Sequence, residues 1–421
     1  MSKYIVEKSG PLKGEVVISG SKNAVLPLMA AALLAEEECI IRDVPTLRDV
    51  SYMKEILTSL GSKIVDIEEN VISITTDNIT STEAQFELVN KMRASILVMG
   101  PILARKGRAR IPHPGGCAIG ARPIDLHLKG LEALGAIIEC TDTYVEAVAG
   151  PQGLIGDVIY LDFPSVGATE NIMMAAVLAT GTTYIENAAE EPEIVDLANF
   201  LNKMGAKIKG AGTDTIKIEG VERLSGAKHT VIPDRIETGT FMVCAAITRG
   251  NILIKNAVPD HVKPIIAKLR ECGVRVNVGD DESEVRGDLG PLVAADIKTL
   301  PYPGFPTDIQ SPFMVFLSTV EGPSTVIETV FENRFMHVAQ LNKMGASIET
   351  AGNKAQLRGN AKLRGTDVMA TDLRAGAALV LAGFVADGKT EVSEIFHIER
   401  GYEKFVEKCS KLGGKITRVE D

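Results

Sequence analysis

Residues 56–67, ILTSLGSKIVDI, carry the pattern that decides the fold: the end of an amphipathic helix, a glycine, and a stretch of alternating polar and apolar residues. A glycine directly after a helical period is a common C-cap, because it adopts the left-handed conformation without a steric penalty. The alternation that follows indicates a half-buried strand. The stretch therefore predicts a helix, a tight turn and a strand.

The same pattern occurs six times along the chain. It recurs as GLEALGAIIEC (130–140), FLNKMGAKIKG (200–210), KLRECGVRVNV (268–278), QLNKMGASIET (340–350) and KCSKLGGKITRV (408–419). The turn glycines are Gly61, Gly135, Gly205, Gly273, Gly345 and Gly413, at intervals of 68 to 74 residues. A fixed period of this kind indicates repeated supersecondary units.

Two further features recur in step with these glycines. One is an Ala-rich helix followed by a short strand that ends in a polar corner, as in CIIRDV (39–44) and LIKNAV (253–258). The other is a predicted strand pair around a glycine turn, at 4–20, 216–232 and 355–370. Each unit is therefore interpreted as strand, strand, helix, strand, helix, strand.

The grouping of the units predicts two domains. Because the last unit ends in a bare strand, KITRVED (415–421), the N-terminal strands are expected to complete the C-terminal half. This gives a first α/β domain at 21–232, which carries Cys117, and a second at 1–20 plus 233–421. Apolar helices such as MMAAVLA (173–179) have no polar face, so they are expected to lie inside with the sheets outside.

Composition limits the classes of function. A chain of 421 residues is longer than one hydrophobic core usually supports, which also favours two domains. The formal net charge of −10 argues against a general nucleic-acid surface, which needs clustered Lys and Arg. The longest apolar runs are shorter than the ~20 residues that cross a bilayer. With no secretory signal and six cysteines but no C-x-x-C pair, the expected location is the cytoplasm.

The stretch PHPGGCAIGARP (112–123) is a candidate functional loop. Three glycines and three prolines surround Cys117, which predicts a loop with hinges and stiff shoulders rather than a helix or strand. Composition alone favours an inert packing role for a single cysteine. The loop setting is what makes Cys117 a candidate for chemistry.

One nucleotide-binding motif is rejected. GFVADGKT (383–390) matches the phosphate-loop pattern G-x-x-x-x-G-K-[ST], which requires a strand before it and a helix after it. Here a predicted helix precedes the motif and a predicted strand follows it. We interpret the match as a chance turn at a helix end.

Seven motifs together with the repeats resemble the enolpyruvyl transferases, the EPSP synthase-like family. The motifs are SKNAVLP (21–27), RASI (93–96), GGCAIGARPIDLH (115–127), PDRIETGTF (233–241), FPTDIQ (305–310), ENRFMH (332–337) and ATDLRA (370–375). The resemblance covers essentially the whole chain. It implies two inside-out α/β domains, each of three βαβαββ-type repeats, with the active site in the cleft between them.

The resemblance is to family members whose acceptor is a nucleotide sugar. It implies transfer of the enolpyruvyl group of phosphoenolpyruvate to the 3-hydroxyl of UDP-N-acetylglucosamine, with release of phosphate, as the first committed step of peptidoglycan synthesis. It implies no cofactor and no metal, two small-molecule substrates as partners, and neither nucleic acid nor membrane.

The resemblance also implies roles for residues at matching positions. The catalytic residues would be Cys117, Asp308, Lys22 and Arg400, with Cys117 as the general acid or as the site of a covalent adduct and Asp308 as the base. Phosphoenolpyruvate would contact Lys22, Asn23, Arg122, Arg334, Arg374 and Arg400. The nucleotide sugar would contact Arg93, Arg122, Pro123, Ile124, Asp125, Leu126, Ser165, Val166, Gly167, Asp308 and Val330. Phe163 departs from the family, because many relatives have a lysine near this position.

Several alternatives stay open from the sequence. Lys22 with Asn23 is also compatible with a solvated helix start, and Asp308 with an ordinary N-cap. At the level of the whole protein, the alternatives are a transferase that uses a shikimate phosphate, a six-repeat ring around nucleic acid, and a silent nucleotide-sugar sensor. The ring predicts basic helix faces, whereas the cations here cluster at helix ends and in loops.

Overall fold

The computed structural model describes residues 2–114 and 124–420. The strands are β1 (Lys3–Glu7), β2 (Lys13–Val17), β3 (Cys39–Arg42), β4 (Lys63–Glu68), β5 (Val71–Thr75), β6 (Arg108–Pro112), β7 (Ala136–Cys140), β8 (Tyr144–Ala149), β9 (Val158–Tyr160), β10 (Thr182–Glu186), β11 (Lys207–Lys209), β12 (Thr215–Glu219), β13 (Lys228–Thr230), β14 (Asn251–Lys255), β15 (Arg275–Val278), β16 (Glu282–Arg286), β17 (Ile297–Lys298), β18 (Ser324–Ile327), β19 (Ile348–Ala351), β20 (Lys354–Leu357), β21 (Asp367–Met369), β22 (Lys389–Ser393) and β23 (Lys415–Val419).

The helices alternate with these strands. They are α1 (Lys22–Ala31), α2 (Arg48–Ser59), α3 (Phe86–Val89), α4 (Met99–Lys106), α5 (Asp125–Ala133), α6 (Val166–Ala176), α7 (Pro192–Lys203), α8 (Arg235–Ile247), α9 (Lys263–Glu271), α10 (Thr307–Thr319), α11 (His337–Lys343), α12 (Leu373–Val385), α13 (Phe396–Glu399) and α14 (Phe405–Lys411). Three 3₁₀ helices span Ala32–Leu34, Arg93–Val98 and Pro259–Val262.

The described residues group into two compact units. One comprises 20–114 with 124–232, and the other comprises 2–19 with 233–420. The first unit holds sheets of order β13-β3-β5-β4, β6-β8-β7 and β11-β12-β10-β9. The second holds sheets of order β15-β16-β14-β2, β17-β18-β20-β19 and β21-β22-β1-β23.

The repeated order of elements is β-α-β-α-β-β, which is the order that the family resemblance implies. The order predicted from the sequence pattern is the same series begun one strand earlier. All six turn glycines have positive φ, from 87° to 113°, which is the left-handed region that a side chain rarely adopts. β1 pairs antiparallel with both β22 and β23, so the N-terminal strand completes the last repeat, as expected. In the described part of the second repeat, an isolated bridge between Glu83 and Arg110 takes the place of the first strand.

The predicted strand pairs around glycine turns are wrong. The strands at 4–20 are β1 and β2, which lie in different sheets, and the same holds for β12 with β13 and β20 with β21. These connections are longer than the two-residue loops that make tight hairpins, so each carries the chain from one sheet to the next. β2, for example, pairs in parallel with β14 instead.

Apolar helices fill the core of each unit. In the second unit α10 packs against both α8 and α12, and every residue of α8 after Arg235 is buried. In the first unit α6 packs against α4 and α5. The sheets leave one face in solvent, as shown by the exposed Val158 and Tyr160 of β9. The expected inside-out α/β fold is therefore confirmed.

The rejected phosphate-loop motif has the structure that the sequence predicts. The GFVADGKT segment is the end of α12, a turn with Gly388 at φ 96°, and the start of β22, so its helix-to-strand order is confirmed.

Four buried thiols, those of Cys39, Cys244, Cys272 and Cys409, have pKa values that burial raises. Within residues 2–114 and 124–420, no helix is long and apolar enough to cross a membrane.

Candidate functional site

The first unit places a buried lysine at the start of α1. Ser21 caps this helix by accepting a hydrogen bond from the Ala24 N–H, and Lys22 follows as the first helical residue. The Lys22 Nζ lies 2.7 Å from Asp49 Oδ2, and only 11% of the lysine side chain and 2% of the aspartate side chain are exposed. Lys22 is therefore a buried, paired cation and not the solvated helix start that the sequence also allowed.

The predicted nucleotide-sugar residues of this unit lie at the starts of packed elements. Arg93 begins a 3₁₀ helix, Asp125 begins α5, and Ser165 caps α6 by accepting from the Ala168 N–H. The helix α6 packs on both the 3₁₀ helix and α5. A helix start offers oriented N–H groups, which favour phosphate oxygens.

A buried hydrogen-bond network joins these elements. Asn171 of α6 accepts from the Gly100 N–H through Oδ1 at 2.7 Å and donates to the Ile96 carbonyl through Nδ2 at 3.1 Å. These backbone partners fix the orientation of the amide. The Nδ2 group also lies 3.1 Å from His127 Nδ1, so that ring nitrogen must accept, and a neutral ring carries its proton on Nε2. A Cβ on Gly167 would lie 3.3 Å from this Nε2, which places the ring edge against the first turn of α6.

Replacing Asn171 with Asp is expected to change the tautomer of His127. A carboxylate still accepts from the Gly100 N–H but cannot donate, so His127 Nδ1 would take the proton. Loss of the bond to the Ile96 carbonyl should also lower the unfolding free energy by about 1–3 kcal/mol. Imidazole ¹⁵N shifts should show an Nε2–H ring in the wild type and an Nδ1–H or doubly protonated ring in the variant. An unchanged tautomer would contradict the network.

The second unit holds a carboxylate between two buried arginines. Asp308, the second residue of α10, lies 3.0 Å from Arg334 Nη2 and 3.1 Å from Arg374 Nε, both through Oδ1. The arginine side chains are 4% and 3% exposed, whereas that of Asp308 is 28% exposed. The N-cap of α10 is Pro306, so the interpretation of Asp308 as an ordinary N-cap is wrong.

The electrostatics of this cluster keep Asp308 ionised. Burial alone raises the pKa of Asp308, but the charges of Arg374 and Arg334 outweigh it and hold that pKa well below its usual range. Arg374 also packs on the Tyr402 ring, 5.3 Å from its centroid. Its Nη1 is buried and has no hydrogen-bond partner among the described residues. A buried cation with an unused donor is suited to bind an anion.

The remaining predicted residues are distributed as follows. Asn23 follows Lys22 in α1, Val166 and Gly167 begin α6, Ile124 and Leu126 flank the start of α5, Val330 follows β18, and Arg400 follows α13. Cys117, Arg122 and Pro123 lie outside the described residues. Phe163, the departure from the family, is 41% exposed. Sequence reasoning did not find Asp49, Asn171 or Glu328, because no motif marks a polar residue whose partner is distant in the chain.

The chain matches known enzymes over nearly its full length. The family model for EPSP synthase (3-phosphoshikimate 1-carboxyvinyltransferase) matches residues 6–409. The chain is 60% identical over 417 residues, 99% of both chains, to UDP-N-acetylglucosamine 1-carboxyvinyltransferase 1 of Caldanaerobacter subterraneus subsp. tengcongensis. It is 59% identical over 416 residues, 99% of this chain and 98% of the relative, to UDP-N-acetylglucosamine 1-carboxyvinyltransferase of Finegoldia magna.

Solved structures agree in fold. The enolpyruvyl transferase NikO from Streptomyces tendae superposes with a TM-score of 0.89, 25% identity and 99% coverage of both chains. EPSP synthase from Acinetobacter baumannii superposes with a TM-score of 0.78, 17% identity and 100% coverage of both chains; this second likeness concerns the fold alone. The chain therefore belongs to the EPSP synthase (3-phosphoshikimate 1-carboxyvinyltransferase) family of enolpyruvyl transferases.

Proposed function

We propose that the protein transfers the enolpyruvyl group of phosphoenolpyruvate to the 3-hydroxyl of UDP-N-acetylglucosamine and releases phosphate. The observation that carries this proposal is the 60% identity, over 99% of both chains, to a relative named for this acceptor. The product would commit the nucleotide sugar to peptidoglycan synthesis. The two three-repeat domains would be 21–232 and 1–20 with 233–421. The compact units of the described residues, 20–114 with 124–232 and 2–19 with 233–420, support this division.

Phosphoenolpyruvate carries a phosphate and a carboxylate, and the buried cations of both units suit such a ligand. Lys22 and Arg374 are each held by a buried or partly buried carboxylate, so their side chains are already in place before an anion binds. Asn23, Arg122, Arg334 and Arg400 complete the proposed set. The nucleotide sugar would lie on Arg93, Arg122–Leu126, Ser165–Gly167, Asp308 and Val330.

The reaction requires two proton transfers in its addition step. The oxygen of the 3-hydroxyl forms a bond to C2 of phosphoenolpyruvate as its proton passes to Asp308, and C3 takes a proton, which we assign to the Cys117 thiol. In the elimination step phosphate leaves C2 and a C3 proton is removed, which restores the double bond. The Cys117 thiol is also suited to add to C2 itself, with its proton going to C3, to give a covalent adduct.

Asp308 is ionised before substrate arrives, because its arginine partners depress its pKa. An arginine-bound carboxylate is a weak base, so these ion pairs must weaken when the substrates bind. We propose that Arg374 and Arg334 turn part of their hydrogen bonding toward the substrate carboxylate or phosphate. Asp308 then becomes basic enough to accept the hydroxyl proton.

The experiment that tests the function is a comparison of two acceptors. We expect phosphate release from phosphoenolpyruvate with UDP-N-acetylglucosamine, and none above background with shikimate 3-phosphate. The acceptor product should gain the mass of one enolpyruvyl group. Phosphate release with shikimate 3-phosphate alone would assign the chain to the other activity in its family, and no release with either acceptor would favour a binding protein without catalysis.

A further inference from the structure

Glu328 lies at the corner after β18, and its carboxylate joins two segments that the proposed function uses. Its Oε1 accepts from the Val330 N–H at 2.8 Å, from the Phe331 N–H at 3.2 Å and from the Thr299 hydroxyl at 2.8 Å. Its Oε2 accepts from the Thr307 hydroxyl at 2.9 Å. The residue is 3% exposed, so these bonds replace its hydration.

Other repeats use the corner residue differently. Asn187, after β10, donates through Nδ2 to the Leu161 carbonyl, and Asn256, after β14, donates to the Ile18 carbonyl. Each ties its own strand to the end of the neighbouring parallel strand. Glu328 makes the corresponding tie to Thr299, just after β17, but as an acceptor. Its second oxygen is therefore left for an additional contact, which is the one to Thr307 of α10.

The start of α10 differs from the starts of other core helices in having no side-chain N-cap. Four of the other core helices have a side-chain N-cap, from Ser21, Ser165, Asp234 and Asp372. The helix α10 follows Pro306, which supplies no capping side chain. A carboxylate near a helix N-terminus is favourable, and here it arrives from the corner after β18 instead of from the preceding residue.

We propose that Glu328 is a positioning residue that sets the first turn of α10, with Asp308, and the loop at Val330 in one fixed arrangement. The proposal rests on the proposed function, in which Asp308 accepts the hydroxyl proton and Val330 contacts the nucleotide sugar. Through Thr307 the carboxylate orients the base, and through the Val330 and Phe331 amides it shapes the sugar site. One side chain thus couples acceptor binding to acceptor deprotonation.

Glu328 has two sets of contacts, here called its arms. One is the Oε2 contact to Thr307 of α10, and the other is the set of Oε1 contacts to Thr299, Val330 and Phe331. The two arms are separable by mutation. Thr307→Val removes the arm to α10 and is expected to lower kcat about tenfold, with the KM for UDP-N-acetylglucosamine changed less than about threefold. Thr299→Val removes the hydroxyl that donates to Glu328 Oε1 and that also accepts from the Thr329 N–H at 2.9 Å, so it loosens the Val330 loop. It is expected to raise that KM about tenfold, with kcat nearly kept. Glu328→Gln should change both parameters. Thr319→Val is the matched control, because the Thr319 hydroxyl donates to the Phe316 carbonyl at the far end of α10, away from Glu328.

Hydrogen exchange gives a readout that does not depend on catalysis. We expect faster exchange at 305–311 in Thr307→Val, at 326–333 in Thr299→Val, and at both segments in Glu328→Gln. If the wild type were inactive with the nucleotide sugar, the proposed function would fail while this exchange pattern would still decide the positioning role. The inference would be overturned if all three variants lowered kcat and raised KM by the same factors. It would also be overturned if hydrogen exchange became faster throughout the unit.

Discussion

Asp308→Asn is expected to lower the rate of enolpyruvyl transfer by about 10³-fold, within the range that a general base contributes. The amide keeps the size of the side chain and, with its oxygen in the place of Oδ1, both hydrogen bonds to the arginines, but it cannot take a proton from the 3-hydroxyl. The measurement is kcat for phosphate release with saturating UDP-N-acetylglucosamine. A Kd for the nucleotide sugar within about tenfold of the wild type would show that the loss concerns chemistry more than binding.

The same substitution should destabilise the second unit. Arg334 and Arg374 are almost fully buried, and removing the carboxylate leaves them without the charge that they share. The loss of a buried ion-pair partner costs about 3–5 kcal/mol, and the 28% exposure of the Asp308 side chain favours the lower end. Asp260→Asn is the control, because that carboxylate pairs with Lys263 while 76% exposed. A folded Asp308→Asn enzyme with more than a tenth of wild-type kcat would exclude Asp308 as the base.

The repeat architecture was predictable because its signals are local. A few neighbouring residues are enough to predict a glycine with positive φ, such as Gly205, or an Ala-rich helix. Strand partners such as β2 with β14 were not predictable, because those residues are more than 200 positions apart and no local pattern encodes the pairing. The strand-pair prediction was wrong for this reason.

The candidate site also contains features that local sequence predicts and features that it does not. The positions of Lys22 and Asp308 near helix starts follow from local patterns, and the structure places both in the first turn of a helix. The roles of Asn171 and Glu328 depend on which backbone groups tertiary packing brings near them. Neither residue lies in a distinctive motif, so the chemistry of their partners is visible only in the folded chain.

Glu170 is a second buried acid that the sequence does not distinguish, and it lies outside the proposed chemistry. It is on α6 and is 3% exposed, and its Oε1 has no hydrogen-bond partner among the described residues. Burial raises its pKa well above the usual range, and the nearby Glu193 and Glu191 add to that rise. Glu170 therefore keeps its proton to a higher pH in the folded protein than in the unfolded chain, where it ionises near pH 4.3.

The stability of the Glu170→Gln variant, relative to that of the wild type, is expected to increase as pH rises. Because the folded pKa is raised, the stability contributed by the Glu170 proton is complete below about pH 4.3 and is lost as pH rises toward the folded pKa. The difference in unfolding free energy, Glu170→Gln minus wild type, should grow by about 1.4 kcal/mol per pH unit in the range between the unfolded and the folded pKa of Glu170. Urea titrations at pH 5, 6 and 7 measure it. Glu186→Gln, at an exposed position on β10 of the same unit, is the control for the loss of a glutamate charge. A flat difference for Glu170→Gln would mean that a partner keeps this carboxylate ionised in the fold.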